Sequence, residues 1–219
     1  MARMLAIPGC PATAVAYSDR VSADESSAAA KRAIRQRCLD DRAHRRRAEQ
    51  VEASTSICAR VLLLPEAAAA ATVGGYVSFA GEPGTGPLVE ALHDAHITVL
   101  LPLLRDDFDL DWARYRPRRW RPGRFGLTEP AGPALGVGAI EAASLVVCPG
   151  VAGDAAGRRL GRGGGSYDRV LSRLPETALR CLLLYDAEVL PVVPTDPHDQ
   201  PVDVIVTPTR TIRCAPAQG

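Results

Sequence analysis

The stretch from Ala143 to Leu174 narrows the possible folds more than any other part of the chain. It opens with Ala143-Ser-Leu-Val-Val-Cys148, a short apolar run rich in β-branched residues and closed by Pro149-Gly150. Such a run reads as a buried strand ending in a turn. A glycine-rich loop follows. Tyr167, Val170, Leu171 and Leu174 then fall at helical spacing, which predicts a helix beginning at Ser166. Strand, turn, glycine loop and helix is the order in which open α/β sheets place a ligand at their strand carboxyl ends.

The loop reads Gly157-Arg-Arg-Leu-Gly-Arg-Gly-Gly-Gly-Ser-Tyr-Asp-Arg169. Gly161, Gly163, Gly164 and Gly165 leave the backbone bare, so its N–H groups can approach an anion. Arg158, Arg159, Arg162 and Arg169 add guanidiniums that fork onto phosphate oxygens. The start of the helix would turn its positive end the same way. This is read as a phosphate-binding loop. It lacks the Gly-Lys-Ser/Thr of a P-loop and the spacing and early position of a dinucleotide fingerprint. The structural alternative is a flexible glycine turn in a basic surface.

The rest of the chain fits an α/β sheet. Ser22-Ala-Asp-Glu25 has the spacing of a capping box and would start a basic helix over about 23–49. A second helix is expected over Val51–Leu64. Thr72–Ala80, Ile97–Leu101 (stopped by Pro102), Phe108–Arg114, Leu182–Tyr185 and Val204–Val206 read as strands, with a short helix before Ala95. Arg116–Pro133 is dense in Pro, Gly and Arg and reads as a loop. The predicted architecture is a single-domain three-layer α/β/α fold with a mostly parallel central sheet. Residues 1–27 are expected to be a disordered leader and not a signal peptide, 28–209 the α/β domain, and 210–219 a loose tail.

Composition excludes several classes. The 219 residues suffice for one domain with a substantial core, and 47% apolar with 23% charged residues is a globular balance. A net charge of +1 argues against general nucleic-acid binding. An RNA-binding role for the Arg32–Arg47 face would also want interleaved aromatics, which that helix lacks. The six cysteines form no CxxC pair and suit free thiols in a reducing cytoplasm. There is no run of apolar residues long enough for a membrane span.

Scattered pieces then share one order. They are Lys31-x-x-x-Arg35, Tyr76-x-Ser78-x-x-x-Glu82, Leu100-Leu-Pro102, Arg124-Phe-Gly-x-x-Glu-Pro130 and Cys148-Pro-Gly-Val151. Asp154-x-x-Gly-x-Arg-Leu-Gly-x-Gly-Gly-Gly-x-Tyr-Asp-Arg169 and His198-Asp199-x-x-Val-Asp203 complete the series. Together, over about residues 28–207, they resemble the 5-formyltetrahydrofolate cyclo-ligase family, also called 5,10-methenyltetrahydrofolate synthetase.

The resemblance implies an ATP- and Mg²⁺-dependent enzyme. It would convert 5-formyltetrahydrofolate to 5,10-methenyltetrahydrofolate, releasing ADP and phosphate through a phosphorylated formyl (imino-phosphate) intermediate. It also implies residue roles. Lys31, Arg35 and the run Arg159, Leu160, Gly161, Arg162, Gly163, Gly164, Gly165, Ser166, Tyr167 would bind ATP. Arg162 and Tyr167 would be catalytic, Arg162 by stabilising charge on the moving phosphoryl group. Val77, Glu82, Trp120, Arg162 and Gly163–Ser166 would bind the folate. Glu82 would accept from the pterin N–H edge, and Trp120 would stack on a flat ring. Asp168 and Asp199 would hold Mg²⁺, which takes carboxylate oxygens.

Other readings stay open beside these. Asp168 could satisfy backbone N–H groups at the helix start, and Asp199 could form an Asx turn. Glu82 could be an exposed turn residue, Trp120 could cap the core, and His198 could orient an anion or lie at the surface. Tyr76 is expected in the core. Expected partners are 5-formyltetrahydrofolate, with or without a polyglutamate tail, and ATP. The chain is expected to be a monomer without nucleic-acid or membrane partners. Two residues depart from the family pattern. Ser166 stands where an aromatic residue is usual, and Gly153 stands where Phe is usual, leaving Asp154 on a flexible stretch. Ser166 motivates the alternative of a non-catalytic folate- or nucleotide-binding regulator on the same fold.

Overall fold

The computed structural model describes residues 12–79 and 81–215, with side chains described from Ser27. In chain order its helices and strands begin with α1 (Ala12–Ala43), α2 (Arg47–Leu62), α3 (Pro65–Ala68), β1 (Thr72–Gly74) and α4 (Gly86–Asp94). Next come β2 (Thr98–Leu104), β3 (Leu110–Arg114), β4 (Trp120–Pro122), β5 (Thr128–Pro130), β6 (Leu145–Pro149), β7 (Ala152–Gly153) and β8 (Arg159–Leu160). The chain continues with α5 (Ser166–Ser172), β9 (Leu179–Leu183), β10 (Val204–Val206) and β11 (Thr211–Arg213). Of the leader expected over residues 1–27, residues 1–11 lie outside the described residues. From Ala12 the backbone is already helix, so Ser22 is not a helix start.

Seven strands form one sheet in the order β11-β10-β9-β6-β1-β2-β3. β2, β1, β6, β9 and β10 run parallel, and the two edge strands β3 and β11 are antiparallel to their neighbours. Alternation along the central strands splits the core in two. Leu145, Val147, Cys181, Leu183, Val204 and Val206 face the layer of α2, α3 and α4. Val146, Cys148, Leu182, Leu184 and Ile205 face α5 and the 3₁₀ segment Val137–Ala142. A smaller cluster of Cys38, Val151, Ala152, Leu160 and Val193 seats α1 on the β7–β8 ribbon. The result is a three-layer α/β/α fold.

Several boundaries differ from the sequence reading. The basic helix ends at Ala43 instead of Glu49. Arg46 turns extended (φ −66°, ψ 146°) and its N–H donates to Glu49, so a new helix begins at Arg47. β1 covers only Thr72–Gly74, and the chain beyond it leaves the sheet to build the site. β2 runs through Pro102. The Leu100 carbonyl accepts from Gly75 N–H, so by alternation Pro102 turns its missing N–H to the same side, past the end of β1. The loop Arg116–Pro133 contains the β4–β5 hairpin. Of the tail expected to be loose over 210–219, Thr211–Arg213 form β11, which pairs with β10, and residues 216–219 lie outside the described residues.

Candidate active site

The strand order reverses between β1 and β6. From β1 the chain proceeds outward to β2, whereas from β6 it proceeds the other way to β9 and β10. The crossover helices α4 and α5 consequently lie on opposite faces, leaving a crevice beyond the carboxyl ends of β1 and β6. Residues 75–79 leave β1 and the glycine loop leaves the β7–β8 ribbon into this crevice, where Glu82 also lies. A cleft of about 610 Å³ opens there, lined also by α1, by the β2–β3 turn and by the loop around Asp196–Asp199.

The glycine loop needs its glycines. Gly163 and Gly165 sit at φ 106° and 69°, where a Cβ would be strained. Gly165 precedes α5, which starts at Ser166 as the sequence predicts. With seven residues, α5 acts mainly by aiming Tyr167, Asp168 and Arg169. Arg159 is buried and braces the loop. Its Nη2 donates to Asp168 Oδ1 at 2.5 Å and its Nη1 to the Pro149 carbonyl at 3.2 Å. Arg162 is the exposed arginine of the loop's centre. Its Nε lies 3.2 Å from Glu82 Oε1 and its guanidinium covers the Phe79 ring at 4.4 Å.

α1 brings Lys31, Arg32 and Arg35 to the cleft, the first and last of them one turn apart. Arg35 Nε donates to the Gly161 carbonyl at 2.8 Å. Lys31 is buried and donates to Asp196 Oδ2 at 2.7 Å and Asp199 Oδ2 at 2.5 Å. Burial works to lower the Lys31 pKa, but the hydrogen bonds and charges of the two aspartates outweigh it and raise it. For Asp199, burial works upward, and the bond from Lys31 and the Asp196 N–H overcome it and lower the pKa.

Glu82 is buried, not an exposed turn residue. Burial raises its carboxyl pKa against the opposing pull of Arg162, the Phe79 N–H and Arg42. Its backbone is anchored by Tyr185, whose hydroxyl donates to the Glu82 carbonyl at 3.2 Å. Beside it, Val77 is half-buried in the cleft wall. Tyr76 is core-packed as expected, with its hydroxyl donating to the Pro83 carbonyl. Tyr167 packs between both core clusters, and its hydroxyl donates to the Gly75 carbonyl at 3.4 Å. Burial pushes the Tyr167 pKa well above 10, so this phenol is a hydrogen-bond donor and not a base.

Lys31, Arg35, Val77, Glu82, Asp168, Asp199 and residues 159–167 therefore meet at one cleft. Trp120 does not line it. Its ring lies against Tyr115 instead, 5.6 Å between centroids and tilted by 47°. His198 lines the cleft but is exposed, 3.8 Å from Asp199. Gly153 does not loosen Asp154. It is paired in β7, and a Cβ there would meet Leu182 at 2.8 Å. Asp154 is fully buried, accepts from three backbone N–H groups and pairs with Arg158 at 2.8 Å, so it organises the turn.

Residues the sequence reading passed over complete the cleft. Asp196 is the second acid on Lys31, and a lysine destined for burial signals the need for such partners. Phe79 and Phe108 are exposed aromatics in the cleft wall. Arg42 and Glu188 lie outside the lining; they form a buried bidentate pair at 2.7 and 2.9 Å, and Arg42 also donates at 2.7 Å to the carbonyl of Gly150, which does line the cleft.

Sequence and structure comparisons point one way. The sequence model of the 5-formyltetrahydrofolate cyclo-ligase family matches residues 27–208. The chain is 38% identical over 146 residues to a 5-formyltetrahydrofolate cyclo-ligase of Mycolicibacterium smegmatis, covering 64% of this chain and 75% of the relative. It is 31% identical over 166 residues to the Escherichia coli K12 protein of the same name, covering 74% and 91%. The solved structure of 5,10-methenyltetrahydrofolate synthetase from Aquifex aeolicus matches with a TM-score of 0.74 at 29% identity, covering 86% of this chain and 95% of that one.

Proposed function

The chain belongs to the 5-formyltetrahydrofolate cyclo-ligase family, and from that premise we propose that it closes 5-formyltetrahydrofolate to 5,10-methenyltetrahydrofolate at the expense of ATP. The observation that carries this reading is the meeting of Lys31, Arg35, Arg162 and the bare glycine loop around one cleft that also holds Glu82. An N-formyl oxygen is a poor leaving group. Its attack on the γ-phosphorus with departure of ADP makes it a phosphate ester on the N5 iminium carbon. N10 then attacks that carbon and loses its proton. Expulsion of phosphate leaves the methenyl bridge.

The chain's own residues position and neutralise. Arg35 and Lys31 reach the triphosphate from α1, and residues 159–167 cradle it with backbone N–H groups. Arg162 leaves Glu82 to meet the charge developing on the transferred phosphoryl group. Glu82, freed from Arg162, accepts from the pterin N–H edge beside Val77. Tyr167 would turn its hydroxyl from the Gly75 carbonyl to donate to the reacting groups.

Carboxylate oxygens suit Mg²⁺. Asp168 and Asp199 would hold it, and Asp196 and His198 place further donor atoms within 4.8 Å of those of Asp199. The ion would offset phosphate charge. The chain is proposed to act as a cytoplasmic monomer.

The test mixes the protein with 5-formyltetrahydrofolate and Mg²⁺, with and without ATP, and follows the near-ultraviolet band of a methenyl-bridged folate. Growth of the band only with ATP is the expected result. Binding of both ligands with a flat trace would instead assign the chain to folate or nucleotide binding without catalysis.

A further inference from the structure

Phe108 and Phe125 stand out among the described residues. Both have left-handed backbone, φ 59° and 53°, a conformation that a bulky side chain rarely adopts. Both are solvent-exposed, at 49% and 72%. Their rings stack 6.0 Å apart at 8°. Phe108 lies in the β2–β3 turn and lines the cleft. Its carbonyl is held from α5 by two donors, Ser166 Oγ at 2.6 Å and Arg169 Nη2 at 2.7 Å. Exposed aromatic rings on strained but clamped backbone mark a functional surface, since folding alone gains little from presenting them to water.

We propose that Phe108, backed by Phe125, is the aromatic wall against which the planar ring system of the folate packs. The inference rests on the proposed function and names a specificity-determining residue for it. Its occupant is argued from continuity with the cleft. Val77, Leu104 and Leu110 supply the apolar floor, and Glu82 supplies the acceptor for ring N–H groups. The adenine of ATP is a planar ring as well, so it is the company of Phe108 in the lining, Val77, Leu104, Leu110 and Glu82, that assigns the wall to the folate, and the ATP KM is the measurement that separates the two. Ser166 reaches this wall through its hydroxyl: it fixes Phe108 where an aromatic residue at 166 would itself have offered a ring.

Phe108→Ala keeps a Cβ at the left-handed position and removes only the ring, which isolates the contact. The expected result is a rise of about tenfold in KM for 5-formyltetrahydrofolate. The KM for ATP should stay within about twofold, and Phe108→Tyr should restore the original value. Ser166→Ala should shift the same KM in the same direction by a smaller factor. An unchanged folate KM in Phe108→Ala would overturn the proposal, as would an equal rise in the ATP KM. If the unsubstituted protein shows no turnover, the functional reading fails separately. Calorimetric titration with 5-formyltetrahydrofolate then decides the wall: a tenfold affinity loss in Phe108→Ala supports it and equal affinity refutes it.

Discussion

Arg162 sits on a loop without side-chain bulk, held by one carboxylate and one aromatic ring. Its removal costs the fold little, since the pair with Glu82 is half exposed on the arginine side. Arg162→Ala is expected to lower kcat by about 100-fold or more, as for loss of a charge-stabilising donor. Thermal melting should show a Tm near that of the parent protein. Activity close to the parent's would remove Arg162 from the chemistry. At this scale the sequence was partly legible. Glu82 and Arg162 were named from the family resemblance, and they meet. Trp120 was named for the aromatic role, yet the hairpin turns it onto Tyr115 while Phe108 reaches the cleft. An aromatic letter in a loop carries no direction; hydrogen bonds to its backbone supply one.

Among the described residues, α1 is tied to the rest of the molecule by two ion-pair sites of different depth. Arg42 and Glu188 are buried with side-chain exposures of 2% and 4%. Glu188→Ala would leave the Arg42 guanidinium buried and unpaired, a cost of about 3–5 kcal/mol. For a chain of this size that is a fall in Tm on the order of 10 °C, readable by calorimetry. A fall of a degree or two would show that water or another acid takes over. The second site is Lys31 with Asp196 and Asp199. Because the folded pKa of Asp199 lies below its ordinary value, its ionised form stabilises the protein above about pH 4. That contribution disappears as pH falls through the folded pKa. The Tm deficit of Asp199→Asn should therefore be largest near neutrality and shrink at about pH 3. A deficit independent of pH would mean the charge is not what holds α1. The sequence reading placed a basic helix here from a capping-box spacing, with ends that the structure moves, and its partners come from the far end of the chain.

For the whole molecule, the strand order decides two things. The reversal between β1 and β6 puts the cleft where two loops diverge. The return of residues 211–213 covers β10, whose Val204, Ile205 and Val206 are fully buried. Arg213 also clasps Glu66 through two bonds of 2.8 Å. Truncation after Arg210 would expose β10 as an apolar edge strand, which invites pairing between molecules. Size-exclusion chromatography should then show aggregate. A monodisperse, normally melting product would mean that β11 is dispensable.

The sequence by itself determined the elements whose cause is local. The run at 143–148, the Pro-Gly turn, the bare loop and the helix at Ser166 follow from β-branching, backbone freedom and side-chain period, all read within a few residues. The anion binding proposed for the glycine loop is local too, because it would belong to the backbone. Only the tertiary structure decided which acids meet Lys31, since Asp196 lies 165 positions away, which aromatic faces the cleft and that the tail closes the sheet. Each of these depends on chain segments brought together by burial of the common core, and no local period encodes who the partner will be.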